Sequence, residues 1–146
     1  MNLIIVNESS QRVPRKFLEK WCQGIELELI RRKVVSKKIK SLELTLVFLN
    51  RPAAQKLNRQ YRSRNYATDV LSFASVSEDS LGDLVMCPEV LKKQSREHHL
   101  SYQQELGYMV LHGVLHLLGF DHEQVEREAK KMFGLQDAIF EVLLQK

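Results

Sequence analysis

The hydrophobic and polar positions along the chain follow two periods, which predict where strands and helices lie. Residues 3–7 and 42–49 are short apolar runs, and the second begins with strict alternation, so both predict strands. Between them, Pro14 opens a segment with apolar residues at helical spacing, which predicts a first helix. The spaced residues are Phe17, Trp21, Ile25 and Leu29.

The later part of the chain is predicted to be mostly helical. Residues 51–61 carry Pro52 in a first turn followed by apolar residues four apart, which predicts a short helix. Residues 70–73 and 84–86 predict two strands that can pair as a hairpin, joined by an acidic turn that includes Gly82. Further helices are expected to begin at Pro88, near Ser101 and near Glu123.

This order of elements, with alternation early and helices late, predicts the fold class. We expect an α/β or α+β fold, with one mixed β-sheet of about four strands and helices packed on it. A length of 146 residues with 44% apolar residues suits one domain over residues 1–146. No apolar stretch approaches the roughly 20 residues that cross a bilayer. The N-terminus also lacks a signal-peptide pattern, so we expect a soluble cytoplasmic protein.

Charge is distributed unevenly along the chain. Residues 1–64 contain 15 lysines and arginines against 5 acidic residues, whereas residues 65–146 contain 7 against 13. A basic half indicates a surface for polyanions, usually nucleic acid, although a solvated lysine-rich surface explains the same counts. Cys22 and Cys87 are far apart and outside any C-x-x-C motif, so we expect two small core residues rather than a disulfide framework or a cysteine zinc site.

Three histidines follow one another closely, two in the helix predicted near Ser101 and one just after it. His112 and His116 are four residues apart, which places them on one helix face, nearly opposite an aliphatic stripe. Gly119 can end the helix in a left-handed conformation, and a turn there brings His122 back toward the pair. A catalytic zinc site uses three protein ligands and leaves a fourth position open. We therefore predict one metal ion at these three histidines, with zinc preferred and nickel or copper as alternatives.

The residue after His112 decides between two classes of metalloenzyme. The same histidine spacing occurs in the metzincin proteases, whose motif has a glutamate directly after its first histidine as general base. Here that position is Gly113, which lies at the flank of the histidine face and leaves space there. A different reaction on the same metal is therefore favoured. Three acidic residues could orient an imidazole by accepting a hydrogen bond from the ring nitrogen that does not bind the metal. They are Glu105, Asp121 and Glu123.

The run from His112 to His122 matches the pattern H-G-x-L-H-L-x-G-x-D-H and resembles the hallmark of the YbeY family of endoribonucleases. Residues 58–62 with 68–73 resemble the family's upstream motif, and residues 82–86 resemble its G-D strand. The resemblance implies a zinc-dependent endoribonuclease that cuts single-stranded RNA. It further implies maturation of ribosomal RNA, including the 3′ end of 16S rRNA, and ribosome quality control.

The same resemblance carries an invariant arginine onto Arg62, so the predicted catalytic residues are Arg62, His112, His116 and His122. An arginine fork on the non-bridging oxygens of a phosphodiester stabilises the transition state more than the ground state. Other basic residues would add phosphate contacts, and Tyr61 or Tyr66 could stack a base, although a packing role explains either tyrosine equally well. Those basic residues are Arg31, Arg32, Lys37, Lys38, Arg59 and Arg64.

The expected partners are single-stranded RNA, ribosomal RNA and the ribosome or its proteins, whereas neither DNA nor a membrane is expected. Two other functions stay open. One is a non-catalytic, ribosome-associated binding factor whose metal is structural. The other is a metalloprotease, which Gly113 opposes.

Overall fold

One mixed β-sheet organises the computed structural model of this chain, which describes residues 1–62, 70–121 and 125–146, without the side chain of Arg62. Its strands are β1 (Asn2–Asn7), β2 (Glu43–Phe48), β3 (Val70–Ala74) and β4 (Ser80–Met86). Their order is β1-β2-β4-β3, where β1 and β4 run parallel to β2 and β3 runs antiparallel to β4. The predicted mixed sheet and the predicted hairpin are confirmed.

Gly82 lies inside β4, so its predicted place in the connecting turn is wrong. Residues 43 and 44 of β2 pair with residues 80 and 82 of β4, which leaves Leu81 as an extra residue in the strand. The φ of Gly82 is 141°. A Cβ atom there would lie 2.4 Å from the backbone oxygen of Phe73, so this glycine allows β3 to approach the irregular part of β4.

Helices pack against the sheet, and each predicted helix is found. They are α1 (Arg15–Arg31), α2 (Arg51–Arg62), α3 (Pro88–Glu97), α4 (Tyr102–Leu117) and α5 (Glu126–Leu144). A 3₁₀ helix at Lys37–Ser41, which the sequence pattern did not predict, begins where the Ser36 hydroxyl accepts a hydrogen bond from the Lys38 amide. Within the described ranges, no helix has the length and apolar character needed to cross a membrane.

The main core lies between one face of the sheet and helices α1, α3, α4 and α5. That face presents Leu46 from β2 and Leu84 from β4, which are fully buried together with Leu111 and Leu115 of α4. Burying one such side chain stabilises the fold by about 1.5–3 kcal/mol. The predicted core positions of Cys22 and Cys87 are confirmed by their burial as free thiols.

Helix α2 packs near the opposite face. The Tyr61 ring meets the Phe73 ring edge-on at 5.2 Å between centroids. Phe73 pairs with Asp83, and paired residues share a sheet face, so Phe73 points away from the side on which Leu84 contacts α4. Ala54, Leu71 and Val85 are buried outside the main core. The sheet is therefore covered on both sides near β3.

Candidate metal centre

Helix α4 carries the first two predicted ligands, and local hydrogen bonds define both of its ends. At its start, the Ser101 hydroxyl accepts from the Gln104 amide at 3.1 Å, and the Gln104 side chain accepts from the Ser101 amide at 3.0 Å. At its end, Gly119 has φ 100°, and its amide donates to the His116 carbonyl at 2.9 Å. The next amide, from Phe120, donates to the Leu115 carbonyl at 3.0 Å, which completes a Schellman motif.

His112 and His116 lie together on one face of α4, as their spacing predicts. Both side chains are half-buried, their ring centroids are 4.5 Å apart, and their Nε2 atoms are 3.0 Å apart. Two nitrogen lone pairs repel at this distance, so the atoms must share a proton or bind one cation. The predicted aliphatic stripe on the other side is buried at Val110, Leu111, Val114 and Leu115 and half-buried at Leu117 and Leu118.

Helix α5 holds the His112 ring from behind. The Nδ1 atom of His112 lies 3.0 Å from Oε1 of Gln136, whose side chain is fully buried. Because a carbonyl oxygen accepts, Nδ1 carries the ring proton and Nε2 presents its lone pair. The Phe133 ring stacks on the same imidazole, with centroids 6.1 Å apart and planes 24° apart.

A second contact joins the same two helices one turn earlier on α4. The Tyr108 hydroxyl donates to Oδ1 of Asp137 at 3.1 Å. Burial raises the pKa of Tyr108 to about 12, and the Asp137 carboxylate adds to the rise. Tyr108 therefore stays a neutral hydrogen-bond donor across the physiological range and anchors α5 beside the histidines.

The two described histidines fit a metal ion. Zinc–nitrogen bonds of about 2.0–2.1 Å place two tetrahedral ligand nitrogens about 3.3–3.4 Å apart. The observed 3.0 Å between the Nε2 atoms needs only a small adjustment to reach that spacing. The third predicted ligand, His122, lies outside the described residues, and among those that are described no group of three histidine, cysteine, aspartate or glutamate side chains forms a metal site.

The sequence prediction missed Gln136 as the residue behind His112. Of the three candidates proposed for that position, Glu105 is fully buried but has both oxygens 3.0 Å from Nδ1 of His98 instead. Asp121 is half-buried beyond Gly119, and Glu123 lies outside the described residues. A signal for the missed residue exists in the sequence, because a glutamine interrupts the apolar stripe of α5. The buried positions of that stripe are Met132, Gln136, Ile139 and Leu143.

Gly113 faces the sheet, so the expectation that it leaves space beside the histidines is wrong. A Cβ atom on this residue would lie 2.6 Å from Cδ2 of Leu84, which is fully buried in β4. The glycine therefore allows α4 to pack closely on β4. A carboxylate in this position would enter the core instead of reaching a substrate, which is a second argument against the protease chemistry.

Arg62 is the last residue of α2, and its side chain lies outside the described part. Its neighbour Tyr61 is 58% exposed and contacts Phe73 on β3. A Cβ atom on Gly82 would lie 2.4 Å from the Phe73 backbone oxygen and 2.9 Å from Cδ2 of Leu117, the last residue of α4. The final turns of α2 and α4 therefore lie at the same end of β3, on opposite faces of the sheet.

The basic residues that were predicted to contact phosphate lie in different environments. Arg31 and Arg32 bind the buried carboxylate of Glu28, with nitrogen–oxygen distances of 2.9 and 3.3 Å. The Arg31 hydrogen bond is the main cause that holds the pKa of Glu28 below its usual value. Lys37, Lys38 and Arg59 are exposed, whereas Arg64 and Tyr66 lie outside the described residues.

Comparisons with known proteins find similarity to one protein family. A family model described as Endoribonuclease YbeY matches residues 4–144. A Bdellovibrio bacteriovorus protein named Endoribonuclease YbeY is 62% identical over 146 residues, which cover 100% of this chain and 97% of that protein. A Persephonella marina protein of the same name is 35% identical over 149 residues, covering 97% of this chain and 92% of that protein. The solution structure of a Thermotoga maritima protein has a TM-score of 0.65 and 29% identity, covering 95% of this chain and 87% of that chain.

Proposed function

The chain belongs to the YbeY family, and from this premise we propose that it is a metal-dependent endoribonuclease acting on single-stranded RNA. The observation that carries the metal dependence is the histidine pair on α4, whose Nε2 atoms are 3.0 Å apart. His122 is proposed as the third ligand and zinc as the ion. When bound, the ion supplies positive charge and Lewis acidity at the scissile phosphate.

The residues of the chain itself have separate tasks in this reaction. His112 and His116 hold the ion with neutral imidazoles, since the proton of His112 is engaged at Nδ1 by Gln136. Arg62 places a guanidinium on the non-bridging oxygens and stabilises the charge that develops there. This assignment rests on the YbeY family's upstream motif, which residues 58–62 and 68–73 resemble. Either a water molecule or the ribose 2′-hydroxyl is the nucleophile.

The exposed side chains of α2 support the proposed substrate class. Arg59 is exposed and adds a salt-sensitive phosphate contact, and Tyr61 presents an aromatic surface on which an unpaired base can stack. An unpaired base is accessible only in single-stranded RNA, because pairing and stacking bury the base faces in a duplex. The proposed substrate in the cell is precursor ribosomal RNA, including the 3′ end of 16S rRNA.

The proposed setting is ribosome maturation and quality control in the cytoplasm, with the ribosome or its proteins as partners. Cells that lack the protein should accumulate precursor 16S rRNA with an extended 3′ end, measured by primer extension or 3′-end sequencing. Normal 16S ends in such cells would contradict this setting without affecting the chemistry.

Metal analysis combined with RNA cleavage tests the chemistry directly. The native protein should contain about one zinc ion per chain and cut a labelled single-stranded RNA, and a chelator should abolish cleavage. Chelator-insensitive cleavage would refute the metal dependence. Mass spectrometry of the new ends separates the two nucleophiles, because attack by the 2′-hydroxyl leaves a 2′,3′-cyclic phosphate.

A histidine variant separates a catalytic metal from a structural one. His116→Ala should abolish cleavage and retain the fold, measured by circular dichroism and thermal unfolding. If His116→Ala unfolds the protein and the wild type cuts no RNA, the alternative of a binding factor with a structural metal is correct.

A further inference from the structure

Gln136 is a polar residue in the buried stripe of α5, and its burial requires a reason. Its side chain is fully buried beside positions occupied by Met132, Ile139 and Leu143. Moving an amide from water into an apolar environment destabilises the fold unless the amide forms hydrogen bonds. Oε1 of Gln136 forms one of these, at 3.0 Å from Nδ1 of His112, a residue 24 positions earlier in the chain.

We propose that Gln136 is a positioning residue for the metal centre, a role that rests on the proposed function. Its carbonyl keeps the proton of His112 on Nδ1, so Nε2 always presents a lone pair toward Nε2 of His116. The hydrogen bond also fixes the plane of the imidazole ring, because its acceptor is on α5 whereas His112 is on α4.

Two neighbouring contacts support this role. Phe133 covers one face of the His112 ring, so the imidazole is held at its edge by Gln136 and on its face by Phe133. The hydrogen bond from Tyr108 to Asp137 fixes α5 next to α4 at the residue after Gln136. The glutamine therefore belongs to a rigid contact between two helices. Outer hydrogen-bond partners of this kind change metal affinity by about 10–100-fold when they are removed.

A conservative variant tests the hydrogen bond itself. Gln136→Glu keeps an oxygen acceptor at the end of a side chain of the same length and should preserve the Nδ1–H form. It serves as the conservative variant that restores positioning.

Gln136→Met is the main test, because methionine has a similar length and volume and lacks a carbonyl acceptor. Two quantities are measured on the metal-free and metal-titrated protein. The first is the imidazole tautomer of His112, from two-bond proton–nitrogen correlation spectra of histidine-labelled protein. The second is the affinity for zinc, by competition with a chromogenic chelator. Gln136→Leu replaces the methionine variant if the latter does not fold.

The wild type should show the Nδ1–H form, and Gln136→Met should show a mixture of tautomers and bind zinc about 10–100-fold more weakly. Asp137→Ala is the matched control, since it removes a different hydrogen bond between the same helices and leaves the acceptor of His112 in place; it should keep the Nδ1–H form and lower the zinc affinity less than Gln136→Met does. An unchanged tautomer and affinity in Gln136→Met would overturn the proposal, and so would an equal loss in Asp137→Ala. If the wild type binds no zinc, the proposed function fails, while the tautomer still tests Gln136 separately.

Discussion

Replacing Gly113 by alanine tests how closely α4 packs on the sheet. The added Cβ would lie 2.6 Å from Cδ2 and 2.8 Å from Cδ1 of Leu84, which is fully buried. Overpacking of this kind destabilises by about 1–3 kcal/mol. Alanine favours a helix over glycine by about 1 kcal/mol, which offsets part of that loss. We therefore expect Gly113→Ala to lower the free energy of unfolding by about 1 kcal/mol.

Gly134 is the matched control. It is an exposed residue within α5, away from the helix ends, and a Cβ there would meet no atom within 4 Å. Gly134→Ala should raise the free energy of unfolding by about 0.5–1 kcal/mol. Urea denaturation followed by circular dichroism gives both values. Equal effects of the two substitutions would refute the packing argument.

A double-mutant cycle with Leu84 identifies the atom responsible. Leu84→Ala alone should destabilise by about 2–5 kcal/mol because it leaves a cavity. In that background the clash is gone, so adding Gly113→Ala should stabilise by about 1 kcal/mol. The expected coupling energy is therefore about 2 kcal/mol, whereas additive effects would show that Leu84 is not the residue that excludes a side chain at position 113.

Three further substitutions test the other parts of the molecule. Arg62→Ala should slow RNA cleavage about 10²–10³-fold with the fold retained, while Arg96→Ala, which removes an exposed arginine on α3, should leave the rate unchanged. Equal rates for both would remove Arg62 from the mechanism. Tyr61→Ala should weaken RNA binding about 10-fold and Tyr61→Phe should not, measured by fluorescence anisotropy, because base stacking contributes about 1–3 kcal/mol; identical affinities would exclude stacking. Glu28→Gln should destabilise by about 1 kcal/mol at pH 7. Since the pKa of Glu28 is lowered in the folded state, that difference should disappear as the pH falls below about 4, and a constant difference would contradict it.

Helix α4 could be predicted from sequence because everything that defines it is local. Ser101 and Gln104 begin it, Gly119 ends it, and the apolar stripe between them has helical spacing. The four-residue spacing of His112 and His116 then places both on one face in any α-helix, so their proximity needs no knowledge of the rest of the fold.

The contacts between distant segments could not be predicted in this way. Gln136 meets His112 only because α5 crosses α4, and Gly113 faces Leu84 only because α4 lies antiparallel to β4. The partner of Glu105 could not be predicted either, because its buried carboxylate contacts His98 instead of the histidines further along its own helix. Each of these residues is of an unusual type for its position in a helix, which can be seen in the sequence. Its contact partner, however, is determined by how the helices and strands pack together.

The order of the elements along the chain has a consequence for synthesis on the ribosome. The last strand ends at Met86, whereas the first predicted ligand is residue 112 and its buried partner is residue 136. A growing chain therefore contains all four strands of the described sheet and the basic half before it contains any proposed metal ligand. Because the site needs both α4 and α5, a chain that stops early can hold the sheet and still lack the means to cut RNA. Under the proposed function, nuclease activity is acquired only after α5 has been synthesised, 50 residues or more after the end of β4.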